Sequence, residues 1–246
     1  LSHCTVVSNY ALSWGGGVWG GSHVNCIVYG NISGNLYPNW YSGSFTNCCT
    51  SPLPDGAGNF ITDPRLIDYI HPRLQSNSPC IDRGTNLAEV VCDYDGTARP
   101  LDGNGDGTNR CDVGAFEFVH STADSDGDGL SDSNEVWRIG SSPLLADSDG
   151  DGSPDVDEYI TGTDPLSWTG PNELFGMDHG SATGDQVIIE WPSVTGRLYS
   201  VCSTTNLLEQ WTVDAADLPG TGLWMGYTNS MMEASRCYRI KVRMAP

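Results

Sequence analysis

Two stretches near the middle of the chain carry acidic residues at alternate positions, the pattern that a calcium-binding loop requires. Each twelve-residue stretch has acids at positions 1, 3, 5, 9 and 12 and glycine at position 6. Calcium takes about six to eight oxygens, which alternate carboxylates, a backbone carbonyl at position 7 and a bidentate Glu at position 12 can supply. The predicted ligands are Asp124, Asp126, Asp128, Leu130, Asp132 and Glu135 in the first loop, and Asp147, Asp149, Asp151, Ser153, Asp155 and Glu158 in the second.

The elements that would hold these ligands are short. Glycine at position 6 permits the sharp turn of the loop. A short helix is predicted after each loop, over Ser131–Ile139 and Pro154–Ile160, ending at Gly140 and Gly162. An EF-hand would also need a helix entering the loop, but the residues before Asp124 show no helical apolar period.

A solvated acidic linker is the alternative reading of this segment. Residues 124–164 contain 12 acidic residues and one basic residue, Arg138. Without a counter-ion, five carboxylates in one loop would repel each other and open it, so the composition favours bound calcium.

The repeated loop and short helix, closed by the sequences GSSP (140–143) and GTDP (162–165), resembles the thrombospondin type-3 and related bacterial Asp-rich calcium repeats. The resemblance covers residues 124–165. It implies calcium-filled spacers that join extracellular domains, rather than calcium sensors.

Length and charge limit the remaining possibilities. The chain has 246 residues and a net charge of −20, so nucleic acid and anionic membrane are poor partners. No apolar run is long enough to predict a membrane span. The start at Leu1 has no signal-peptide pattern, and we interpret the sequence as a fragment or a processed product. Loops of this kind fill at roughly millimolar calcium, which predicts a secreted or cell-surface protein.

The beginning of the chain contains a 22-residue repeat. Cys4, Cys26 and Cys48 recur at this spacing, and Asn9 aligns with Asn31. Short β runs with Gly-rich corners at such a period indicate a solenoid, in which like residues stack as ladders. We therefore expect the three cysteines to be buried thiols; chance similarity over two and a half repeats is the alternative.

Four short motifs then resemble the closing region of right-handed parallel β-helix proteins from bacteria. The matching residues are Gly58, Asn59, Asp63, Pro64, Ser78, Pro79, Ile81, Asp82, Gly84, Asp93, Asp95, Gly96, Arg99, Pro100, Asp112, Gly114, Ala115 and Glu117. Such turns could fold over the open end of the solenoid as a cap. The insert 101–111 departs from the family pattern.

Two details of this cap can be predicted from charge and sequence proximity. Arg99 could pair with Asp93, Asp95 or Asp112. The run Asp102, Asn104, Asp106 begins like a third calcium loop, but Arg110 and Val113 stand where the ligands at positions 9 and 12 should be, so a complete third site is not expected.

The C-terminal part alternates in the period-two pattern of β strands, in the runs QVIIEWP, RLYSVCST, LWMGYT and CYRIKVRM. It resembles a C-terminal domain of secreted bacterial proteins with a role in attachment or sorting. The matching residues are Trp191, Pro192, Gly196, Tyr199, Val201, Trp211, Tyr238, Arg239 and Val242. Alternation predicts a cross-strand disulfide between Cys202 and Cys237, and Cys92–Cys111 is a second candidate pair.

The sequence therefore predicts a mainly β protein with three parts: the end and cap of a right-handed parallel β-helix (1–120), tandem calcium repeats (121–168) and a small antiparallel β-sandwich (169–246). The predicted function is structural or adhesive, with calcium as the bound ion and other copies of the chain as possible partners through an open coil at Leu1. One alternative is the non-catalytic end of a polysaccharide lyase or glycoside hydrolase. Another is a carbohydrate-binding module, for which the candidate stacking residues are Trp14, Trp19, Trp40, Trp211 and Trp224.

Overall fold

The computed structural model describes residues 1–168, 179–183, 186–208, 210–230 and 236–246. The predicted boundary at residue 169 lies outside the described residues. The chain is mainly β and divides into two compact units, Leu1–Ala146 and Asp147–Pro246.

The first unit begins with nine short strands that stack in parallel. They are β1 (Thr5–Val7), β2 (Tyr10–Ala11), β3 (Val18–Trp19), β4 (Ser22–Val24), β5 (Ile27–Tyr29), β6 (Ile32–Ser33), β7 (Trp40–Tyr41), β8 (Ser44–Thr46) and β9 (Cys49–Thr50). The order within the sheets is β1-β5-β9, β2-β6, β3-β7 and β4-β8. Thr5 pairs with Ile27, and Ile27 pairs with Cys49. The 22-residue repeat is therefore confirmed as the register of the parallel pairing.

Stacking produces the two predicted ladders. The Asn31 side-chain oxygen accepts a hydrogen bond from the Asn9 backbone amide at 2.9 Å, and Cys26 donates its amide to the Cys48 sulfur at 3.4 Å. Cys26 and Cys48 are fully buried with Val28 in the core of the stack, whereas Cys4 is only half-buried. Burying each large apolar side chain in such a core stabilises the fold by roughly 1.5–3 kcal/mol.

Residues 51–123, called the cap below, form an irregular segment that shares a second core with the stacked strands. Phe60, Leu74, Cys80 and Val113 pack there around Ile27. Among its described residues the cap has isolated bridges but no strand, and several of its turns are closed by carboxylates that accept backbone amides, as at Asp68, Asp93 and Asp102. This satisfies backbone donors that a sheet would otherwise pair.

The predicted partner of Arg99 is wrong. The Arg99 Nε lies 3.0 Å from the Glu117 carboxylate, and both side chains are buried. Asp93 and Asp112 instead receive backbone amides: the Asp93 Oδ1 accepts from Thr97 at 2.9 Å, and the Asp112 Oδ2 accepts from Phe118 at 2.6 Å. Asp95, the third predicted partner, pairs with Arg73 instead.

Each acidic loop is followed by a short helix, as predicted. After the first loop, α1 (Asp132–Asn134) runs directly into a π-helical turn at Glu135–Ile139. After the second, α2 spans Asp155–Thr161. Gly140 and Gly162 end these helices in the left-handed conformation, with φ of 87° and 88°.

The described part of the second unit contains six antiparallel strands in two three-stranded sheets. The strands are β10 (His179–Thr183), β11 (Gln186–Pro192), β12 (Arg197–Thr204), β13 (Thr212–Pro219), β14 (Trp224–Ser230) and β15 (Cys237–Met244). Their order is β10-β11-β14 and β13-β12-β15. Ile189 and Trp191 from the first sheet share one core with Tyr199 and Val201 from the second. The four strands read from the sequence are confirmed as β11, β12, β14 and β15.

Both predicted disulfides are wrong, because all nine cysteines are free. In the register of β12 and β15, Cys202 faces Arg239 and Cys237 faces Thr204, so the two cysteines are two residues out of step. Cys202 is buried and Cys237 is exposed. Cys111 and Cys92 differ in the same way.

Candidate metal centre

The first acidic loop is wound by its own carboxylates. The Asp124 Oδ1 accepts the Gly127 amide at 2.8 Å, and the Asp124 Oδ2 accepts the Gly129 amide at 3.0 Å. The amides of Asp128 and Leu130 are held by the Asp two residues earlier, at 3.2 and 2.6 Å. These bonds draw the loop into a tight ring and leave one carboxylate oxygen of Asp126 buried without a hydrogen-bond partner among the described residues.

The second loop repeats the pattern. The Asp147 carboxylate accepts the amides of Gly150 and Gly152, both at 2.9 Å. The amides of Asp151 and Ser153 are bound at 3.0 and 2.8 Å. Gly129 and Gly152, at position 6, have φ of 104° and 97°, where a side chain would be strained.

The carboxylates at positions 1, 3 and 5 converge in both loops. Each of the three residues offers an oxygen, and these oxygens lie within 4.8 Å of one another. The two convergent sets are Asp124, Asp126 and Asp128, and Asp147, Asp149 and Asp151. Three like charges at this separation favour a cation between them.

The Glu at position 12, the predicted last ligand, lies in the helix that follows each loop. Glu135 and Glu158 are fully buried. The Glu135 Oε1 accepts the Ser141 hydroxyl at 3.3 Å, and the Glu158 Oε1 accepts the Thr163 hydroxyl at 3.5 Å. The other oxygen of each Glu is buried and lacks a hydrogen-bond partner within the described parts of the chain. An unpaired buried carboxylate is costly, so these oxygens fit a directly bound cation.

The same crowding shifts the acids toward their protonated forms when no cation is bound. Burial, reinforced by Asp126 and Asp128, raises the pKa of Glu135 to about 8. Burial, reinforced by Asp151 and Asp149, raises the pKa of Glu158 to about 7. Both groups must lose their protons before they can bind a metal ion.

The Asp at position 9 of each loop accepts hydrogen bonds from the Ser at position 2. The Ser125 amide and hydroxyl donate to the two oxygens of Asp132, both at 2.8 Å. Ser148 donates in the same way to Asp155, at 2.9 and 2.6 Å. Both Asp side chains are fully buried at the start of their helices. Their role as ligands remains a prediction, as does that of the carbonyls at Leu130 and Ser153.

Sequence reasoning missed the hydroxyl residues of these sites. Ser125 and Ser148 occupy position 2 of their loops and hold the position-9 Asp, while Ser141 and Thr163 directly follow the glycine that ends each helix. The available signal was the recurrence of a hydroxyl at the same place in both copies. The buried Ser153 hydroxyl, which has no hydrogen-bond partner among the described residues, was also missed.

The incomplete third loop begins with the same geometry. Asp102 accepts the amides of Gly105 and Gly107, each at 2.7 Å, and Asn104 accepts the Asp106 amide at 2.9 Å. No carboxylate from position 9 or 12 follows, because those places hold Arg110 and Val113. The loop therefore reproduces the winding of a calcium loop but not its complete ligand set.

The tryptophans considered for sugar stacking have different surroundings. Trp40 donates its ring nitrogen to the Pro52 carbonyl at 2.8 Å, and Trp211 lies under the Arg239 guanidinium at 4.4 Å. The Trp14 ring centroid is 4.6 Å from that of Tyr41. Trp19 and Trp224 are exposed.

The arrangement can bind a hard divalent cation, because the convergent side chains offer only oxygen. Residues 124–145 and 147–167 each match the family described as the bacterial TSP3 repeat. Comparisons with curated proteins and with solved structures give no significant match. No helix in the described part of the chain is long and apolar enough to cross a membrane. The chain thus carries two bacterial TSP3 repeats, a calcium-binding type of repeat that is typical of extracellular proteins.

Proposed function

We propose that this chain belongs to a calcium-stabilised structural or adhesive protein that is secreted or displayed on a cell surface. Its stacked strands and cap would be the end of a right-handed parallel β-helix, and its last six strands a β-sandwich. The two acidic loops are the calcium sites that hold these parts in their folded form.

One observation carries the proposal. In both repeats a fully buried Glu at position 12 keeps one carboxylate oxygen without a hydrogen-bond partner in the described structure, beside three convergent aspartates. A calcium ion supplies the positive charge that this arrangement lacks. The parallel pairing at 22-residue intervals and the core shared by two antiparallel sheets support the assignment of the flanking parts.

Calcium titration of the full chain by isothermal calorimetry tests this function. We expect two calcium ions per chain at up to about millimolar concentration, and protease resistance of residues 124–165 that a chelator removes. Magnesium, which demands a smaller octahedral site, serves as the control ion and should bind more weakly. A chain that binds no calcium at millimolar concentration, with an unchanged cleavage pattern, would contradict the proposal.

Carbohydrate binding is a second candidate, favoured by one observation. The partly exposed rings of Trp14 and Tyr37 flank Tyr41, with centroid distances of 4.6 and 5.1 Å to it. Exposed aromatic faces of this kind suit sugar rings. A glycan array with the full chain and with Trp14→Ala would test it: a signal that this substitution removes supports binding at this cluster, and no signal rejects it.

A further inference from the structure

The two repeats make their protein contacts within different compact units. The first repeat lies in the unit Leu1–Ala146, where Ser125 connects it to the cap. The Ser125 hydroxyl accepts the Asp102 amide at 3.2 Å while it donates to Asp132, and the Ser125 carbonyl accepts the Asn109 side-chain amide at 3.2 Å. The same serine therefore touches the calcium loop and the loop of the cap.

The second repeat lies in the unit Asp147–Pro246, where Arg197 makes the connection. The Arg197 Nε donates to the Ile160 carbonyl at 3.0 Å, and its Nη2 donates to the Tyr159 carbonyl at 2.6 Å. Its guanidinium also lies 5.1 Å from the centre of the Tyr159 ring. The last carbonyls of α2 have no partner within the helix, so this arginine caps the helix by a two-pronged contact.

Close packing reinforces the contact. A side-chain carbon added at Gly162, which ends α2, would lie 2.5 Å from a methyl group of Val194. Val194 precedes β12, and its amide donates to the Tyr199 hydroxyl at 2.8 Å in the core of the sheets. The end of α2 thus rests on the turn that leads into β12, the central strand of its sheet.

We propose that the two calcium sites stabilise different units, and that Arg197 is the positioning residue that couples the second site to the C-terminal sheets. The helix α2 is only seven residues long and carries Glu158 immediately before the carbonyls that Arg197 binds. Calcium that fixes Glu158 also fixes those carbonyls, so calcium and the Arg197 contact strengthen each other. This inference rests on the proposed calcium function.

Hydrogen–deuterium exchange of the full chain, read by mass spectrometry with and without calcium, tests the assignment of sites to units. Wild-type protein should show calcium-dependent protection at 132–139 and at 197–204. Glu158→Gln should remove protection at 197–204, making that segment exchange as in chelated wild type, while 132–139 stays protected. The matched variant Glu135→Gln should give the opposite result. Calcium-dependent protection at 197–204 that survives in Glu158→Gln overturns the proposal.

Calcium titration of Arg197 variants tests the coupling residue. Arg197→Lys keeps the charge but cannot make the two-pronged contact, and Arg197→Met removes both. We expect the affinity of the second site to fall about tenfold in Arg197→Met and less in Arg197→Lys, with the first site unchanged. The control is Arg243→Met, because Arg243 pairs with Asp217 on the exposed surface of the same sheet.

The outcomes separate the two proposals. Wild-type affinity at the second site in both Arg197 variants overturns the coupling while leaving the calcium function standing. If Arg197→Met does not fold, Arg197→Lys decides the question by its affinity alone. Absence of calcium binding in wild-type protein would instead defeat the proposed function itself.

Discussion

The two acidic repeats have the same hydrogen-bond pattern through position 12 and then differ by one residue. Four residues separate Glu135 from Gly140, but three separate Glu158 from Gly162. The Gly140 amide consequently reaches the Glu135 carbonyl over five residues at 2.6 Å, a π turn, whereas the Gly162 amide reaches the Glu158 carbonyl over four at 2.7 Å. The helix accommodates the extra residue, so the predicted ligands occupy equivalent positions in the two repeats.

The comparison shows which parts of the repeat have the same geometry in both copies and which part differs. The loop and the buried Glu are equivalent, and so are the hydroxyls of Ser141 and Thr163 that orient the Glu. The helix end differs, and it is the helix end of the second repeat that meets Arg197. We infer that the loop sets metal binding and that the helix end sets the neighbour.

The largest expected effect tests the equivalence of the two loops. Asp126→Asn and Asp149→Asn each remove charge at position 3, where one buried carboxylate oxygen has no hydrogen-bond partner in the described structure. Each should lower the affinity of its own site about a hundredfold, about 2.7 kcal/mol, as measured by calorimetry. Asp157→Asn, at an exposed position of α2, is the control. Equal losses at both sites from a single substitution would contradict separate loops.

The pH dependence of calcium affinity should differ between the two sites. In the unfolded chain Glu135 and Glu158 lose their protons near pH 4.5, whereas in the folded, calcium-free chain they keep them to about pH 8 and pH 7. The free energy of unfolding of the calcium-free chain should therefore fall as the pH rises from about 4.5 to about 8. Calcium must displace these protons, so its affinity rises over the same window. Between about pH 8.5 and pH 6.5 we expect losses of roughly 25-fold at the first site and roughly fourfold at the second.

Calorimetry in buffers of different ionisation enthalpy would count the protons released at each pH. Equal pH dependence at the two sites would contradict the difference between the two glutamates. Affinities that do not vary with pH would show that neither Glu is protonated in the calcium-free chain.

The glycines that end the helices should respond unequally to alanine. Both glycines have a left-handed backbone conformation, which would destabilise an alanine by about 1–2 kcal/mol. At Gly162 the new methyl would also collide with Val194. Thermal unfolding should therefore show a larger loss for Gly162→Ala than for Gly140→Ala. Equal losses would mean that the turn at Val194 shifts to accommodate the new methyl group without further loss of stability.

The smallest expected effects concern the serines at position 2. Ser125→Ala and Ser148→Ala each remove one hydrogen bond to a buried Asp but leave the backbone amide bond in place. Each should cost about 1 kcal/mol of unfolding free energy. Ser125→Ala should also speed hydrogen exchange of the Asp102 amide, which loses its acceptor. Exchange of that amide at the wild-type rate would contradict the link between the first loop and the cap.

The sequence alone predicted the features that depend on local spacing. Alternate acids with glycine at position 6 specified both loops, because the winding of a twelve-residue segment is governed by its own side chains and backbone angles. The 22-residue recurrence of cysteine specified the stacking register, since like residues align in successive rungs. Alternating apolar residues specified four C-terminal strands.

Tertiary structure decided the features that depend on residues distant in the sequence. It paired Arg99 with Glu117 rather than with any of the three nearer aspartates, and it paired Asp95 with Arg73. It set β12 and β15 in a register that keeps Cys202 and Cys237 apart. It also brought Arg197 to the end of α2 across 37 residues of sequence. Such contacts follow from how elements pack together, and spacing along the chain carries no record of that packing.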